Sequence, residues 1–497
     1  MKIMTTKGSR FIDSQGRQVI LHGISMVCKD KEKGYIDDWT QTDFLKLKQW
    51  GFNVIRLGII WDGIEPSPSQ FNGQYVDNVR EMIRLADQFG LYVILDMHQD
   101  LYSSLYADGA PAWATLTDNH EYVRTNLWSD AYLFDRAVQT AFDHFWNNTP
   151  ASDGVGLQDH YVSAWRFVVE RLRDEPNLIG YDMMNEPFIG SKVGEMVQCM
   201  FAEYGEHAAE LTGQLPPNME ELLNVWLDPE KKLQALSLLD SIDVYRQVMH
   251  ATAPAQVVFE RNVLSPFFQK TGQTIRAADP DRILFLETNY FSNLGVTSSI
   301  QPIVGQNGQP DAQQAYAPHG YDLVTDSDYV HVANSGRVDF IFDNHEQTQN
   351  RLNMPMVIGE WGAYGESHLA EHACLDVQKN FERLLCGDIY WCYLYPEMDQ
   401  YSSFNGVCRG FPSAVAGKIL SYSYDRDHNR FEMEWDEDAS LDVSTRIYFP
   451  DIKAMQSADL TLTSVESGYE WSGLEGTTAG FLCLQPSGGG RRTLRID

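Results

Sequence analysis

Short apolar runs rich in β-branched residues alternate, along most of the chain, with stretches in which apolar residues recur at helical spacing. Eight of these runs predict strands, at residues 19–26, 52–59, 91–98, 178–185, 283–289, 314–319, 355–361 and 388–395. One complete helical repeat follows the second strand. Its apolar positions are Val76, Val79, Ile83 and Ala86, and Gly90 marks its end. Such alternation is typical of α/β proteins with a parallel sheet, and eight repeats over roughly 400 residues predict a (β/α)8 TIM barrel.

Two regions depart from this alternation. Residues 188–260, after the fourth strand, contain helix-like runs such as MEELLNVWL and are too long for an ordinary connection. Two interpretations are open: an inserted helical subdomain with its own core, or a lid that contacts the substrate. After residue 421 the helical pattern gives way to short alternating runs, which predict a small all-β domain. We therefore expect a barrel over 1–421, with a helical insertion at about 188–260, and a second domain over 422–497.

Length and composition agree with a two-domain globular protein. A chain of 497 residues, of which 43% are hydrophobic, exceeds the size at which a single core usually keeps growing. No run of about 18 uncharged apolar residues is present that would span a bilayer. The sequence begins MKIMTTKGSRF, without the apolar segment of a signal peptide, which predicts a cytoplasmic protein. If a leader has been removed from the sequence, we expect a secreted protein instead.

The charge balance argues against polyanionic partners. The chain has 38 Lys plus Arg against 69 Asp plus Glu, a formal net charge of −31, which repels nucleic-acid phosphates and anionic lipid surfaces. The seven cysteines are scattered without a CxxC or Cys/His cluster, so neither a zinc site nor a disulfide framework is indicated. No protein partner is evident from the sequence.

Two glutamates follow predicted strands of the barrel. Glu186 comes directly after the run LIGYDMMN, and Glu360 comes directly after PMVIG. Because the carboxyl ends of barrel strands converge at one face, these carboxylates should meet there. Hydrolysis of a glycosidic bond needs such a pair, one to protonate the leaving oxygen and one to attack or to activate water. A lone Asn-Glu-Pro is a weak signal, since a loop carboxylate often caps a helix, but two strand-terminal glutamates favour catalysis.

Further polar and aromatic residues stand at the ends of predicted strands, at Arg56, His98, Asp100, Asn185, His319, Tyr321 and Trp391. Each alone has an ordinary structural explanation, such as an ion pair for Arg56 or core packing for Trp391. Their joint occurrence at strand ends favours a functional site.

In this order, Arg56, His98, Asn185-Glu186-Pro187, His319-x-Tyr321, Glu360 and Trp391 resemble glycoside hydrolase family 5. The resemblance implies a retaining β-glycosidase in which Glu186 is the acid/base, positioned by Asn185. It implies that Glu360 is the nucleophile, flanked by Arg56 and touched by Tyr321. Such chemistry uses side chains only, so no cofactor and no metal is expected.

Within that family, LDMHQDLYS followed by DGAPAWA, and a β-sandwich tail after FPSAVAG, are similar to the endoglycoceramidase-related, glucosylceramidase-like branch. This likeness implies that Asp100 binds sugar and that Trp391 is the platform on which the sugar ring lies. It also implies that Lys29 stands at the polar end of the binding site, a position for which Lys31 is the alternative. The chain departs from the branch at Ser25, where Asn is usual, and in LETNYF, where Glu-Pro is expected. The substrate is therefore left open among glucosylceramide, steryl glucosides and other aglycone glucosides.

A lipid-like aglycone has some residue-level support in the insertion and the segment after it. Flexible and aromatic apolar residues suited to an irregular apolar chain stand at Met196, Met200, Phe201, Leu223, Trp226, Leu227, Leu236, Phe267 and Phe268. They either line a groove that runs from the glutamates or pack the insertion's own core. A glycolipid substrate would bring the protein into transient contact with a lipid surface or micelle. The alternatives are a β-glucanase or mannanase acting on polysaccharide and a non-catalytic carbohydrate-binding protein, which the two glutamates disfavour.

Overall fold

A central parallel sheet dominates the computed structural model, which describes residues 4–125, 127–325, 327, 329–364, 370–463 and 468–497, without the side chains of 227 and 229. Its strands, in spatial order, are β10 (Val357–Gly362), β11 (Gly387–Trp391), β4 (His22–Met26), β5 (Val54–Ile60), β6 (Tyr92–His98), β7 (Leu178–Asp182), β8 (Ile283–Leu286) and β9 (Gln314–Tyr316). Parallel bridges from Tyr316 to Met356 and from His319 to Glu360 join the two ends of this order. The predicted eight-stranded barrel is thereby confirmed.

Helices cover the outside of the barrel, because its strands are buried on both faces. Outside the insertion, the helices in the described part of the chain are α1 (Gln41–Gln49), α2 (Trp61–Ile64), α3 (Gly73–Gln88), α4 (Asp130–Phe134), α5 (Arg136–Trp146), α6 (Leu157–Leu172), α12 (Ser265–Ala278), α13 (Ser335–Leu352), α14 (Glu371–Leu384) and α15 (Phe404–Val407). Helix α3 buries the predicted apolar positions, and the side chain of Asn72 caps its start by accepting from the Tyr75 N–H. It ends before Gly90, whose φ of +70° favours glycine.

The helical insertion after the fourth barrel strand is also confirmed. It comprises α7 (Val193–Thr212), α8 (Met219–Leu227), α9 (Pro229–Leu236), α10 (Ile242–His250) and α11 (Ala253–Phe259). Asp228 caps α9 and Pro229 occupies its first turn, so the break between α8 and α9 is encoded locally. Helix α7 packs against α10, α8 and α4, and α10 packs against α13 of the barrel. Within the described residues, no helix has the length and apolar character needed to cross a bilayer.

Antiparallel sheets form the C-terminal part. One has the order β1 (Thr5–Lys7), β2 (Arg10–Ile12), β3 (Gln18–Val19), β12 (Phe411–Val415), β15 (Thr445–Phe449), β18 (Gly480–Leu484) and β17 (Tyr469–Gly473). The other has the order β13 (Gly417–Asp425), β14 (Arg430–Glu437), β19 (Gly490–Ile496) and β16 (Leu460–Leu462), and a short helix α16 (Ile452–Gln456) lies nearby. Phe431 and Trp435 of one sheet share a core with Ile447 and Leu482 of the other, as expected for a β-sandwich.

The N-terminal strands close the bottom of the barrel. Phe11 of β2 stacks on Phe285 at 6.2 Å between ring centroids and shares a core with Val54, Ile179 and Val357, which stand near the starts of their strands. The first barrel strand begins at His22 rather than at residue 19 because Val19 pairs with β12 in the other sheet. The carboxyl ends of the strands lie at the opposite end, where the insertion is attached.

Candidate active site

Glu186 and Glu360 converge at the carboxyl end of the barrel. His319 lies between them, with Nδ1 at 2.9 Å from Oε1 of Glu186 and 3.5 Å from Oε2 of Glu360. A carboxylate oxygen of each glutamate and a ring nitrogen of His319 all lie within 4.8 Å of one another. Retaining glycosidases hold their two carboxyl groups about 5–5.5 Å apart, whereas inverting enzymes need about 6.5–9.5 Å to admit a water. This oxygen-to-oxygen separation is short enough for the retaining pair that the sequence predicts.

Arg56 is a buried hub beneath this pair. Its guanidinium donates to Glu360 Oε1 at 2.6 Å, to Asp182 Oδ2 at 2.9 Å, and to Asn185 Oδ1 and Glu287 Oε1 at 2.8 Å each. Burial alone would lower the pKa of Arg56, but the surrounding carboxylates raise it well above its ordinary value. A permanent positive charge is therefore fixed beside Glu360.

Both carboxylate oxygens of Glu360 are held by donors. Arg56 donates to Oε1, and the hydroxyl of Tyr321 donates to Oε2 at 3.0 Å. Burial raises the pKa of Glu360, while the positive charges of His319 and Arg56 act in the opposite direction. Glu360 is thus a fixed, desolvated carboxylate whose charge is matched by neighbouring cations, which suits a nucleophile.

Glu186 is held through its backbone as well as its side chain. Its φ of +40° is uncommon for a residue with a side chain and stores strain of about 1–3 kcal/mol. Its N–H donates to Oε2 of Glu287 at 2.7 Å, and Gln99 donates to the carbonyls of Asn185 and Glu186. The Asn185 side chain contacts Arg56 and the carbonyl of Gln99, so it positions Glu186 through Gln99 rather than directly.

His319 carries a second positive charge. Burial alone would lower the pKa of its imidazole, but the carboxylates of Glu287 and Glu360, and the hydrogen bond to Glu186, raise it well above the ordinary value. Its Nε2 lies 3.2 Å from Oε1 of Glu287. The predicted site residue His319 therefore bridges the two candidate catalytic carboxylates and the buried carboxylate below them.

The remaining predicted residues form a second group beside the glutamates. The Lys29 ammonium forms an ion pair with Asp100 and lies 4.7 Å from the ring centroid of Trp391. Trp391 stacks on His98, with centroids 5.1 Å apart and planes 12° from parallel. Lys31, the competing lysine, instead pairs with Asp62 at 2.6 Å, and 65% of its side chain is exposed. The structure therefore brings Lys29, and not Lys31, into contact with the other candidates.

The charges of this second group are strongly coupled. Although burial opposes it, Lys29 and His98 lower the pKa of Asp100 to about 2. Burial raises the pKa of the neighbouring Asp108 to about 6, because both of its oxygens are buried without a hydrogen-bond partner in the described part of the chain. The Lys29 ammonium, 3.7 Å from its Oδ2, acts in the opposite direction. Asp100 is thus a fixed anion, and the carboxyl group of Asp108 lies next to it.

A cavity of about 300 Å3 joins both groups to the insertion. At one end it is lined by Lys29, His98, Asp100, Glu186, Tyr321, Glu360 and Trp391, and at the other by Met200, Phe201, Leu222, Trp226 and Leu236. The predicted groove toward the insertion is confirmed for Met200, Phe201, Trp226 and Leu236, and Leu222, which was not predicted, also lines it.

Other residues of the predicted apolar wall do not reach the cavity. Phe267 packs against Phe145 and Trp146, with ring centroids 5.4 and 5.5 Å apart, because α12 turns that face toward the helices around the barrel. Phe268 is likewise buried in the core, Met196 is buried in α7, and Leu223 packs against the core. For these four residues the core-packing alternative holds, and the side chain of Leu227 lies outside the described residues. The insertion therefore both packs its own core and walls the cavity.

Sequence reasoning missed several buried acids around Arg56. Glu287 accepts from Arg56 and from the Glu186 N–H, and Asp96 and Asp182 also lie within 3.0 Å of the guanidinium. Glu287 follows the apolar run ILFL, so the strand-end rule that found Glu186 could have found it. Asp96 and Asp182 interrupt apolar strands, which is a second signal for a buried polar partner.

Three groups in this region contain residue types that bind metal ions, namely His98, Asp100 and Asp108, then Glu186, His319 and Glu360, then Asp96, Asp182 and Glu287. The first group surrounds the Lys29 ammonium, and the other two contact the Arg56 guanidinium. Side-chain cations thus already neutralise the carboxylates that a metal ion would need.

Two family models and several known proteins match parts of this chain. The model of the cellulase family (glycosyl hydrolase family 5) matches residues 12–212 and 243–395, and that of the family 5 C-terminal domain matches residues 409–496. An endoglycoceramidase of Cyanea nozakii is 31% identical over 210 residues, which cover 36% of this chain and 41% of that protein. A glucosylceramidase of Aspergillus fumigatus is 28% identical over 242 residues, covering 36% and 32%. The chain therefore matches less than half of the length of these relatives.

Two solved structures share the fold over nearly the whole chain. Endo-glycoceramidase II from Rhodococcus sp., in a ganglioside GM3 complex, has a TM-score of 0.73 at 24% identity and 99% coverage of both chains. Sterylglucosidase 1 of Cryptococcus neoformans has a TM-score of 0.70 at 15% identity, covering 99% of this chain and 97% of that one.

Proposed function

Since the chain belongs to glycosyl hydrolase family 5, we propose that it is a retaining β-glycosidase whose substrate joins glucose, or a glucose-linked glycan, to a lipid-like aglycone. The observation that carries this proposal is the cavity that runs from Glu186 and Glu360 to the apolar side chains of the insertion. A pocket of that kind matches a substrate with a polar sugar at one end and a hydrocarbon portion at the other.

The reaction proceeds in two displacements. Glu360 attacks the anomeric carbon while Glu186 protonates the departing glycosidic oxygen, which gives a covalent glycosyl-enzyme and the free aglycone alcohol. Glu186 then takes a proton from a water molecule, and the oxygen of this water attacks the anomeric carbon and releases Glu360. The 2.9 Å contact between Glu186 and His319 fixes the position of the Glu186 carboxyl group for both steps.

Each predicted binding residue has a task in this reaction. Arg56 and Tyr321 hold the Glu360 carboxylate in line for attack. His319 and Asn185 fix the position of Glu186. Asp100 and Lys29 hydrogen-bond sugar hydroxyls, and Trp391, stacked on His98, is the platform on which the sugar ring lies. No step of this sequence needs a cofactor.

A second candidate keeps the chemistry and changes the aglycone to a sterol. Its support is the fold shared with a sterylglucosidase and the apolar lining of the cavity at the insertion end. A polysaccharide substrate is disfavoured because apolar walls of this kind make few hydrogen bonds to sugar hydroxyls.

A product assay tests the proposal. Purified protein is incubated with glucosylceramide, lactosylceramide, a steryl glucoside and cello-oligosaccharides, and the released sugars and aglycones are identified, with Glu360→Gln as the inactive control. We expect release of aglycone from a lipid glycoside. Cleavage of cello-oligosaccharides alone would contradict the lipid aglycone, and the absence of cleavage of all four would contradict the glycosidase.

A further inference from the structure

The segment after β8 reads LETNYFSNL, which departs from the resembled family, and its last residues line the cavity. Tyr290–Leu294 forms a short 3-10 helix, and within it Asn293 is buried, with 4% of its surface exposed. Asn293 is one of the residues that line the cavity beside Glu186 and Glu360. It is therefore a buried polar side chain in the cavity wall that has no task in the two displacements.

The orientation of the Asn293 amide is set by its neighbours. The His319 N–H and the Thr288 hydroxyl both donate to Oδ1 of Asn293, at 3.0 Å each. A backbone N–H can only donate, so the atom that faces His319 is the amide oxygen and not the nitrogen. The Nδ2 group is buried and, within the described part of the chain, has no hydrogen-bond acceptor. Such a donor is costly, and its place in a cavity wall indicates an acceptor atom on the bound substrate.

The strand order places Asn293 on the acid/base side of the candidate catalytic pair. Glu186, Asn293 and His319 follow the neighbouring strands β7, β8 and β9, and the His319 ring contacts Glu186 at 2.9 Å. Two of the proposed sugar contacts, Lys29 after β4 and Trp391 at the end of β11, come from the far side of the barrel. A donor at Asn293 therefore meets the substrate on the leaving-group side, where Glu186 delivers its proton.

The segment that carries Asn293 is anchored to the end of the insertion. Buried Glu260 accepts from the Asn289 N–H at 3.2 Å and from the Ser292 hydroxyl at 3.1 Å. With its carbonyl oxygen held by His319 and its backbone flanked by these contacts, the Asn293 amide is fixed before substrate arrives. A donor fixed in this way stabilises developing negative charge without a cost of reorganisation during the reaction.

We propose that Nδ2 of Asn293 donates a hydrogen bond to the departing glycosidic oxygen, on the lone pair that Glu186 does not protonate. When Glu360 forms its bond to the anomeric carbon, the electron pair of the broken C–O bond stays on this oxygen, and Glu186 supplies the proton. Negative charge that develops on the oxygen before proton transfer is complete strengthens the hydrogen bond from Asn293. This inference rests on the proposed glycosidase function and deepens it by naming a further residue at the reacting atoms.

The test compares kcat/KM for octyl β-glucoside, whose leaving alcohol is strongly basic, with that for 2,4-dinitrophenyl β-glucoside, whose phenolate leaves unaided. Asn293→Asp keeps the oxygen that holds His319 and removes the donor. We expect this variant to lower the value at the pH optimum at least about 10-fold for octyl glucoside and less than about 2-fold for dinitrophenyl glucoside. Thr288→Val is the matched control, because it removes a contact to the same Oδ1 and leaves Nδ2 in place, so it should change both values by the same factor.

Asn293→Ala is the second variant, since it removes the donor without adding a charge and keeps the comparison valid if Asn293→Asp does not fold. Equal losses on both glucosides in the Asn293 variants would mean that Asn293 only positions His319, and an unchanged value for octyl glucoside in a folded variant would exclude the contact. Either result would overturn this inference alone. Failure of the unaltered protein to hydrolyse either glucoside would overturn the proposed function together with it.

Discussion

The two ends of the cavity are built by different physical means. At the barrel end, side chains project from strand ends, and Arg56 and His319 hold a dense group of buried carboxylates at hydrogen-bond distance. At the insertion end, helices supply apolar walls such as Met200 and Leu222. At the barrel end, charged contacts fix the geometry of the reacting groups. At the insertion end, apolar side chains provide the surface that an aglycone would cover.

This difference sets the size of the effects expected from substitutions. Removing one partner of a buried ion network leaves another charge uncompensated and displaces the reacting groups, which is costly. Removing one apolar contact from a cavity wall costs only the transfer free energy of the lost surface. Changes at the barrel end should therefore alter turnover by orders of magnitude, and changes at the insertion end should alter it several-fold.

The largest effect is expected for Glu360→Gln. Loss of the nucleophile should lower kcat by about 10^4-fold or more on every substrate, while Arg56 keeps Asp96, Asp182 and Glu287 as partners and the fold persists. Steady-state kinetics with an aryl β-glucoside, together with the thermal unfolding midpoint as the folding control, measure this. Activity near that of the unaltered protein in a folded Glu360→Gln variant would exclude Glu360 as the nucleophile.

Glu186→Ala should have a smaller effect that depends on the leaving group. Loss of general-acid assistance should cost about 10^2- to 10^4-fold for a lipid glycoside, whose leaving alcohol must be protonated. An aryl glucoside with a good leaving group should still form the glycosyl-enzyme, and added azide should speed its breakdown by replacing the water that Glu186 would activate. Equal losses for all leaving groups, with no azide response, would contradict an acid/base function.

The barrel end could be predicted from the sequence because strand periodicity and strand ends are local features. The runs LIGYDMMN and PMVIG placed Glu186 and Glu360 at one face without knowledge of any contact. The partners of Arg56 were missed because Asp96 and Asp182 reach it only through the register of β5, β6 and β7, which the sequence alone does not supply.

The insertion end was less predictable because it depends on which face each helix turns toward the cavity. Met200 and Met196 stand one turn apart on α7, yet Met200 lines the cavity and Met196 is buried in the core. The choice between Lys29 and Lys31 likewise depends on the path of a loop and was resolved only by the contacts of each ammonium.

A several-fold effect is expected when the apolar wall is trimmed. Met200→Ala should raise KM for a lipid glycoside about 5- to 10-fold, since part of a methionine side chain no longer covers the aglycone, and should leave an aryl glucoside almost unaffected. Met219→Ala is the matched control, because Met219 is also partly buried in the insertion but does not line the cavity. If the two variants behave alike on both substrates, the insertion stabilises the barrel and does not select the aglycone.

The smallest effect on turnover, about 2-fold, is expected for Asp108→Asn, which should instead change how stability depends on pH. Burial raises the pKa of Asp108 from 3.8 to about 6, so the folded protein holds this proton more tightly than the unfolded chain does. The stabilisation is complete below pH 3.8 and is lost as the pH rises through about 6, by on the order of 3 kcal/mol. Asparagine cannot ionise, so the variant should gain in unfolding free energy relative to the unaltered protein between pH 4 and pH 8. Denaturant unfolding of both proteins at these two pH values measures the gain. A pH-independent difference between them would mean that Asp108 stays ionised in the folded protein, with Lys29 at 3.7 Å as sufficient compensation.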